Sequence, residues 1–331
     1  MPQADLNSSD RKQQTLINIC LLVLVNLMWA AQYPAYRVLS NQMGPVTASA
    51  WVFLFAAIAL IPFLLRESRA NGGTARRRLS VTRQDVFGFL IIGVLGLMPA
   101  SALLAAGTER STASNAALIY LAVPILTALL AAVLLNEKMT SRRWLGLAIS
   151  LIGVFALSQR DLSSQSLTSL RFLMGNVLVL LACVSSAFYN VYSKRLLVRF
   201  SPLEILVYGY VIALAASPPF LVWMEPVKLT AIRAYPLETW IWLLILSILS
   251  WGIAMALWMF LLERLDVSQA SISIYLLPFL GVLISALTLH EAITRTTIIG
   301  GAISLAGTVL ATASHAPSGA VDRKNAVTTR V

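Results

Sequence analysis

Charge is scarce in this chain. Only 12% of its 331 residues are Asp, Glu, Lys or Arg, about half the share usual in soluble domains. Histidine and cysteine occur twice each. There is no H-E-x-x-H pair, so a zincin-type metal site is not supported, and no G-x-x-x-x-G-K-[ST] loop, so an ATP-driven pump is not supported either. Cys20 and Cys183 both fall inside apolar runs, which argues against a disulfide framework and for small core residues. No cofactor is indicated.

Apolar residues are abundant: 58% of the chain is hydrophobic. One soluble core does not hide that much apolar surface, so lipid is the expected solvent for much of it. A helix needs about 20 apolar residues to cross a hydrocarbon slab of roughly 30 Å. Such runs recur at 16–38, 46–65, 85–106, 113–135, 142–158, 173–197, 203–223, 240–262, 267–289 and 294–313. The fold class expected is therefore all-α integral membrane with ten transmembrane helices, a lipid bilayer being the first partner. Residues 1–15 form a polar N-terminal segment, the first run is too long for a signal-peptide core, and 314–331 read as a disordered tail.

The net charge of +11 would suit a nucleic-acid partner if it formed one stripe, but it is scattered over loops, so no nucleic acid is expected. With the termini on one side, 18 of the 25 Lys and Arg fall on that side and 7 on the other. The positive-inside rule then places both termini in the cytoplasm. Most of the bias comes from Arg66, Arg69, Arg76, Arg77, Arg78 and Arg83, read as a topology anchor.

Self-similarity is the most specific feature. Residues 109–157 lie on 263–311 without a gap. Glu109–Arg110 falls on Glu263–Arg264, Pro124 on Pro278, Glu137 on Glu291, Thr140 on Thr294, Gly146 on Gly300 and Gly153 on Gly307. Upstream, with three residues of offset, Pro45 falls on Pro202, Pro62–Phe63 on Pro219–Phe220 and Arg37 on Lys194. Each copy holds five spans. An odd number sends the second copy into the membrane from the opposite face, giving two inverted five-helix repeats, 16–158 and 173–313.

The stretch YLAVPILTALLAAVLLNEKMTSRRWLGLAISLIG and its copy YLLPFLGVLISALTLHEAITRTTIIGGAISLAG resemble the EamA-type drug/metabolite transporters. The shared marks are a proline within the helix, a glutamate closing it and a glycine-bearing helix after it. The opening NLMWAAQYPAYRVL is similar to the first span of that family. Departures are Ser186 where the first half has Trp29, and His290 where it has Asn136. The resemblance covers essentially the whole chain. It implies a ten-helix carrier in a bacterial inner membrane, commonly an exporter of amino acids, metabolites or toxic compounds and not an enzyme. It also implies a central cavity walled by helices 1, 3, 4, 6, 8 and 9. A passive channel or scaffold is the alternative, and a homodimeric arrangement stays open.

Candidate substrate contacts follow from the proline helices and the aromatics. Pro124 and Pro278 deprive the carbonyls of Tyr120 and Ile274 of helical donors, and such carbonyls persist at membrane depth only where protein or a wet cavity meets them. A packing kink satisfied by a nearby Ser or Thr is the plainer reading. Trp29, Tyr33, Tyr120, Tyr189, Asn190, Trp258 and Tyr275 supply aromatic faces and polar tips suited to amphipathic or cationic small molecules, although Trp and Tyr also form interfacial belts. Ser268, Ser271 and Tyr275 share one face of helix 9 by spacing. Glu137 and Glu291 read as helix-end carboxylates that hold the start of the next helix, with a titrating role as the sharper reading. All 14 acidic residues fall in loops, tails or helix ends. The carboxylate deep in the membrane that commonly couples a carrier to protons or sodium is therefore missing.

Overall fold

The computed structural model describes residues 8–39, 41–70, 82–110, 119–162, 170–225, 235–277, 279–280, 284 and 295–312, and among these it is all helical. Helix α1 spans Ser8–Ala30, α2 Gln32–Leu39, α3 Pro45–Ala70 and α4 Arg83–Leu90. A π-helical stretch at Ile91–Leu97 leads into α5, Met98–Arg110. Then come α6, Ala122–Leu134, α7, Ser141–Leu162, and α8, Leu170–Leu196. The chain continues with α9, Pro202–Ala215, α10, Ser217–Met224, and α11, Leu237–Ile245. A second π stretch, Leu246–Ala254, runs into α12, Met255–Arg264. Helix α13, Val267–Ser271, passes into a 3₁₀ turn at Ile272–Leu276, and α14 spans Arg295–Thr312.

Among the described residues, five helical stretches are long and apolar enough to cross a membrane: Gln13–Ala30, Pro45–Ala70, Arg83–Gly107, Leu173–Leu196 and Leu237–Arg264. Three shorter apolar helices, Ala122–Leu134, Pro202–Ala215 and Ile298–Ala311, fall where further spans are expected. Leu95, Val133, Ile152, Val177 and Ile253 are among many large apolar side chains left exposed, as lipid-facing residues are.

Prolines explain the interruptions. The helix breaks at Ala31, at Leu121 and at Ala216, each three residues before a proline: Pro34, Pro124 and Pro219. A proline removes the hydrogen bond to the carbonyl four residues back, and its ring crowds that turn, so the turn opens there. The span expected at 16–38 is thus two helices, with α1 beginning earlier, at Ser8. Pro124 lies in the first turn of α6 instead of mid-helix, for the same reason. The span expected at 203–223 is divided into α9 and α10, with Ser217 Oγ donating to the freed end at Leu214 O, 2.8 Å.

Helices α7 and α14 form the tightest pairing. A Cβ at Gly146 would lie 2.6 Å from the Gly307 carbonyl oxygen, and one at Gly153 would lie 2.6 Å from that of Gly300. Only glycine admits backbones this close. Because 146 meets 307 and 153 meets 300, the two helices run antiparallel. Between them Ser150 Oγ donates to Ser304 O at 3.1 Å.

Helix ends are tied to distant segments. Glu225, closing α10, accepts from the Val46 and Thr47 N–H groups at the start of α3, at 2.9 and 3.3 Å. Conversely Glu67, near the end of α3, accepts from Ser201 Oγ at the start of α9, 3.3 Å. Carboxylates at helix N-termini satisfy unpaired N–H groups and complement the helix dipole.

Candidate functional site

The interior where the candidate residues collect is built by several helices. An apolar cluster holds Ala30 of α1, Val123 of α6, Val179 and Cys183 of α8, and Ile274, Leu276 and Leu277 beyond α13. Trp29, Leu104, Ile119 and Tyr120 pack against it. Trp258 of α12, fully buried, meets Trp29 with ring centroids 5.2 Å apart, tilted by 56°. These contributions come from the expected spans 1, 3, 4, 6, 8 and 9. Helices α7 and α14 instead pack on a separate cluster of Leu121, Leu147, Ile272, Tyr275 and Ala311.

Polar pairs cross this interior. Tyr120 Oη lies 3.0 Å from Ser186 Oγ. Asn190 Nδ2 donates to Thr127 Oγ1 at 3.5 Å. Asn26 Nδ2 donates to Ser273 Oγ at 3.0 Å and to Leu22 O at 2.7 Å, leaving its Oδ1 buried without a donor among the described residues. Buried polar groups of this kind are costly unless paired, and pairing between helices fixes how those helices register.

The candidate residues divide by position. Trp29, Tyr120, Pro124, Tyr189, Asn190 and Trp258 lie at the interior faces of α1, α6, α8 and α12, with Trp29 and Tyr120 half-buried and the others buried. Tyr275 is buried too, but among the α7 and α14 contacts. Ser271 donates to Ser268 O at 3.0 Å, and Ser268 donates to Glu137, so both hydroxyls are engaged within the protein. The side chain of Tyr33, and Pro278, Glu291 and His290, lie outside the described residues.

Two backbone carbonyls beside the prolines have side-chain donors. Cys183 Sγ donates to Ile119 O at 3.5 Å and Ser304 Oγ to Tyr275 O at 2.8 Å. Neither is the carbonyl expected to be freed, at Tyr120 or Ile274.

Glu137 differs from the expectation. Its carboxylate accepts from the N–H groups of Val267 and Ser268 at 2.8 and 3.1 Å and from Ser268 Oγ at 2.7 Å. It therefore caps α13, in the other half of the chain, and not the next helix, α7. Asn136 sits at φ 55°, a left-handed residue that reverses the chain after α6 and lets Glu137 N–H return to Ala131 O.

The π stretches in spans 3 and 8 were not visible in the sequence. They occupy comparable positions in the two halves, and π turns are rare, below 1% of residues. A π turn leaves the helix ladder short of donors. Tyr210 Oη supplies one to Trp251 O at 2.5 Å, and Ser250 Oγ donates outward to Met28 O at 2.9 Å. Among the described residues no three His, Cys, Asp or Glu come together as a metal site.

Among the described residues, apolar helices long enough to cross a membrane, with aromatic side chains packed between them, are those of a multi-pass membrane protein. The family model for the EamA-like transporter family matches residues 16–159 and 173–313, and the chain belongs to that family. It is 27% identical over 293 residues to a Streptantibioticus cattleyicolor protein described as "Probable terminal-alkyne amino-acid exporter", covering 87% of this chain and 91% of the other. Uncharacterized transporters YoaV and YyaM of Bacillus subtilis (strain 168) are each 24% identical, over 86% and 88% of this chain and 93% and 95% of theirs. A solved crystal structure shares the fold, with TM-score 0.70 and 19% identity, over 89% of this chain and 96% of that one.

Proposed function

We propose that the chain is a secondary carrier that exports a small metabolite, amino acid or amphipathic or cationic compound across the cytoplasmic membrane by alternating access. The architecture proposed is ten transmembrane helices in two inverted five-helix repeats, with both termini cytoplasmic. The observation that carries this reading is the antiparallel contact of α7 with α14. Gly146, Ser150 and Gly153 lie on Gly300, Ser304 and Gly307 under one sequence register, and each group meets the other across a local two-fold. Two halves related this way have two equivalent packings, open to one face or the other. Export is supported by the description of one relative.

Substrate recognition is assigned to Trp29, Tyr120 and Asn190, with the buried Trp258 packed behind Trp29, a set of aromatic faces and neutral hydrogen-bonding tips. None carries a charge, so a strongly anionic solute finds no counter-ion among them. The test is reconstitution into liposomes with a panel of amino acids, purines, sugars and organic cations. Unlabelled solute trapped inside should drive transient uptake of the labelled solute above its equilibrium level. A channel gives equilibration without that overshoot, and this outcome would overturn the carrier reading.

A further inference from the structure

Four charged side chains meet at the end of the bundle where α6, α8 and α12 finish and α7 and α13 begin. Arg143, in the first turn of α7, has a side chain only 1% exposed and reaches Asp266 at 2.5 Å, itself 13% exposed. Its guanidinium also donates to Lys138 O at 3.3 Å and to Gln269 Oε1 at 3.5 Å. Glu137 caps α13 alongside. Lys194, near the end of α8, donates to the carbonyls of Leu262 and Leu265 that close α12, the latter at 2.7 Å. The Arg143–Asp266 and Glu137–Ser268 ties both join the first half of the chain to the second.

A buried ion pair contributes little net stability, because desolvation offsets most of the attraction. Separating its members without hydrating them is strongly unfavourable. Arg143 is moreover imperfectly satisfied, its Nε buried without an acceptor among the described residues. Such a pair is poor reinforcement for a static joint, yet it resists parting until water enters, as a latch does.

The sequence does not repeat this set of charges in full. Under the register that lays Glu137 on Glu291, Arg143 falls on Thr297 and Asp266 on Thr112, while under the upstream register, offset by three residues, Lys194 falls on Arg37. Two of the four positions keep a charge of the same sign and the paired two become threonine.

We infer that Arg143 and Asp266 form a one-sided latch, so that the two gates of the carrier are unequal. The mouth they guard, cytoplasmic in the proposed topology, opens only when the ion pair parts, and the resting protein is held closed there and open at the other face. This rests on the carrier reading above.

The test uses the full chain with Cys20→Ala, Cys183→Ser and a reporter, Ser186→Cys, labelled from either face of vesicles by an impermeant thiol reagent. In the starting protein, labelling is expected chiefly from the face opposite the latch. Asp266→Asn and Arg143→Gln should each raise labelling from the latch face at least about fivefold, the low end of common coupling strengths, and lower it from the other. The swap Arg143→Asp with Asp266→Arg should return the balance toward the start. Thr112→Asp with Thr297→Arg, on the intact latch, should move it the opposite way to the single changes.

Unchanged labelling in folded single variants, or a swap no better than the singles, overturns the latch. Where the singles do not fold, the threonine pair decides: unchanged labelling there also overturns it. Simultaneous fast labelling from both faces of the starting protein would refute the carrier reading itself, and the latch with it.

Discussion

Ser150 donates its hydroxyl to the carbonyl of Ser304, the residue 154 positions further along and its counterpart in the second half. The glycines about one turn away on either side bring the backbones of α7 and α14 into direct contact.

Gly146→Ala and Gly153→Ala should each destabilise the protein by about 1–3 kcal/mol, the usual range for overpacking. Thermal unfolding in detergent measures this. Val133→Ala, at a side chain 78% exposed to the lipid side, should leave the midpoint nearly unchanged. Equal effects at all three positions would argue against the glycine contact.

Glu137→Ala should lower stability by roughly 1–3 kcal/mol, because two N–H groups and a hydroxyl lose their acceptor. Glu137→Gln keeps one acceptor oxygen and should lose less. If Glu137 is a cap and not a proton site, the Gln variant should retain the pH profile of transport. A profile flattened by Gln alone would return the titrating role to Glu137.

Transport should be indifferent to an imposed pH gradient. The described interior contributions of Trp29, Tyr120, Asn190 and Trp258 hold no group that titrates as a coupling carboxylate does. Uptake into vesicles with and without the gradient measures this. Accumulation against the solute's own gradient, abolished when the pH difference is collapsed, would show coupling.

Trp29 and Trp258 should part company on substitution. Trp258 is fully buried, so Trp258→Ala should cost about 3–5 kcal/mol of stability through the cavity it leaves. Trp29 is half-buried and should act more on binding. Trp29→Ala should raise the counterflow KM about fivefold, equivalent to roughly 1 kcal/mol of aromatic contact. A larger stability loss at Trp29 than at Trp258 would reverse the assignment.

A cysteine at Thr74, beside the arginine-rich stretch, should be labelled by an impermeant reagent only after the membrane is opened. The proposed topology puts that stretch with both termini in the cytoplasm. Labelling in intact cells would invert it.

Much of this was legible in the residues. The register from 109–157 to 263–311 was readable as identity, and the same register pairs Ser150 with Ser304 in space. Pro124 marked a break because proline acts locally through its own turn. Arg143 and Asp266 did not announce one another, since nothing local links two charges at the ends of helices from different halves. Glu137 was legible as a helix-end carboxylate, but its partner depended on where α13 lies, and that is a tertiary fact. The π stretches at Ile91–Leu97 and Leu246–Ala254 were hidden because a π turn differs from an α turn by one residue and has no strong composition of its own.

The α7–α14 contact also bears on ancestry. A ridge of Gly146, Ser150 and Gly153 meets the same kinds of residue running the other way, so the surface is complementary to its own inverted image. A half-length chain bearing that ridge could bury it against a second copy inserted upside down, before any fusion joined the two. In the sequence register, Thr112 and Thr297 stand where the other half has Asp266 and Arg143. In the proposed inverted-repeat architecture, that difference gives the protein a front and a back.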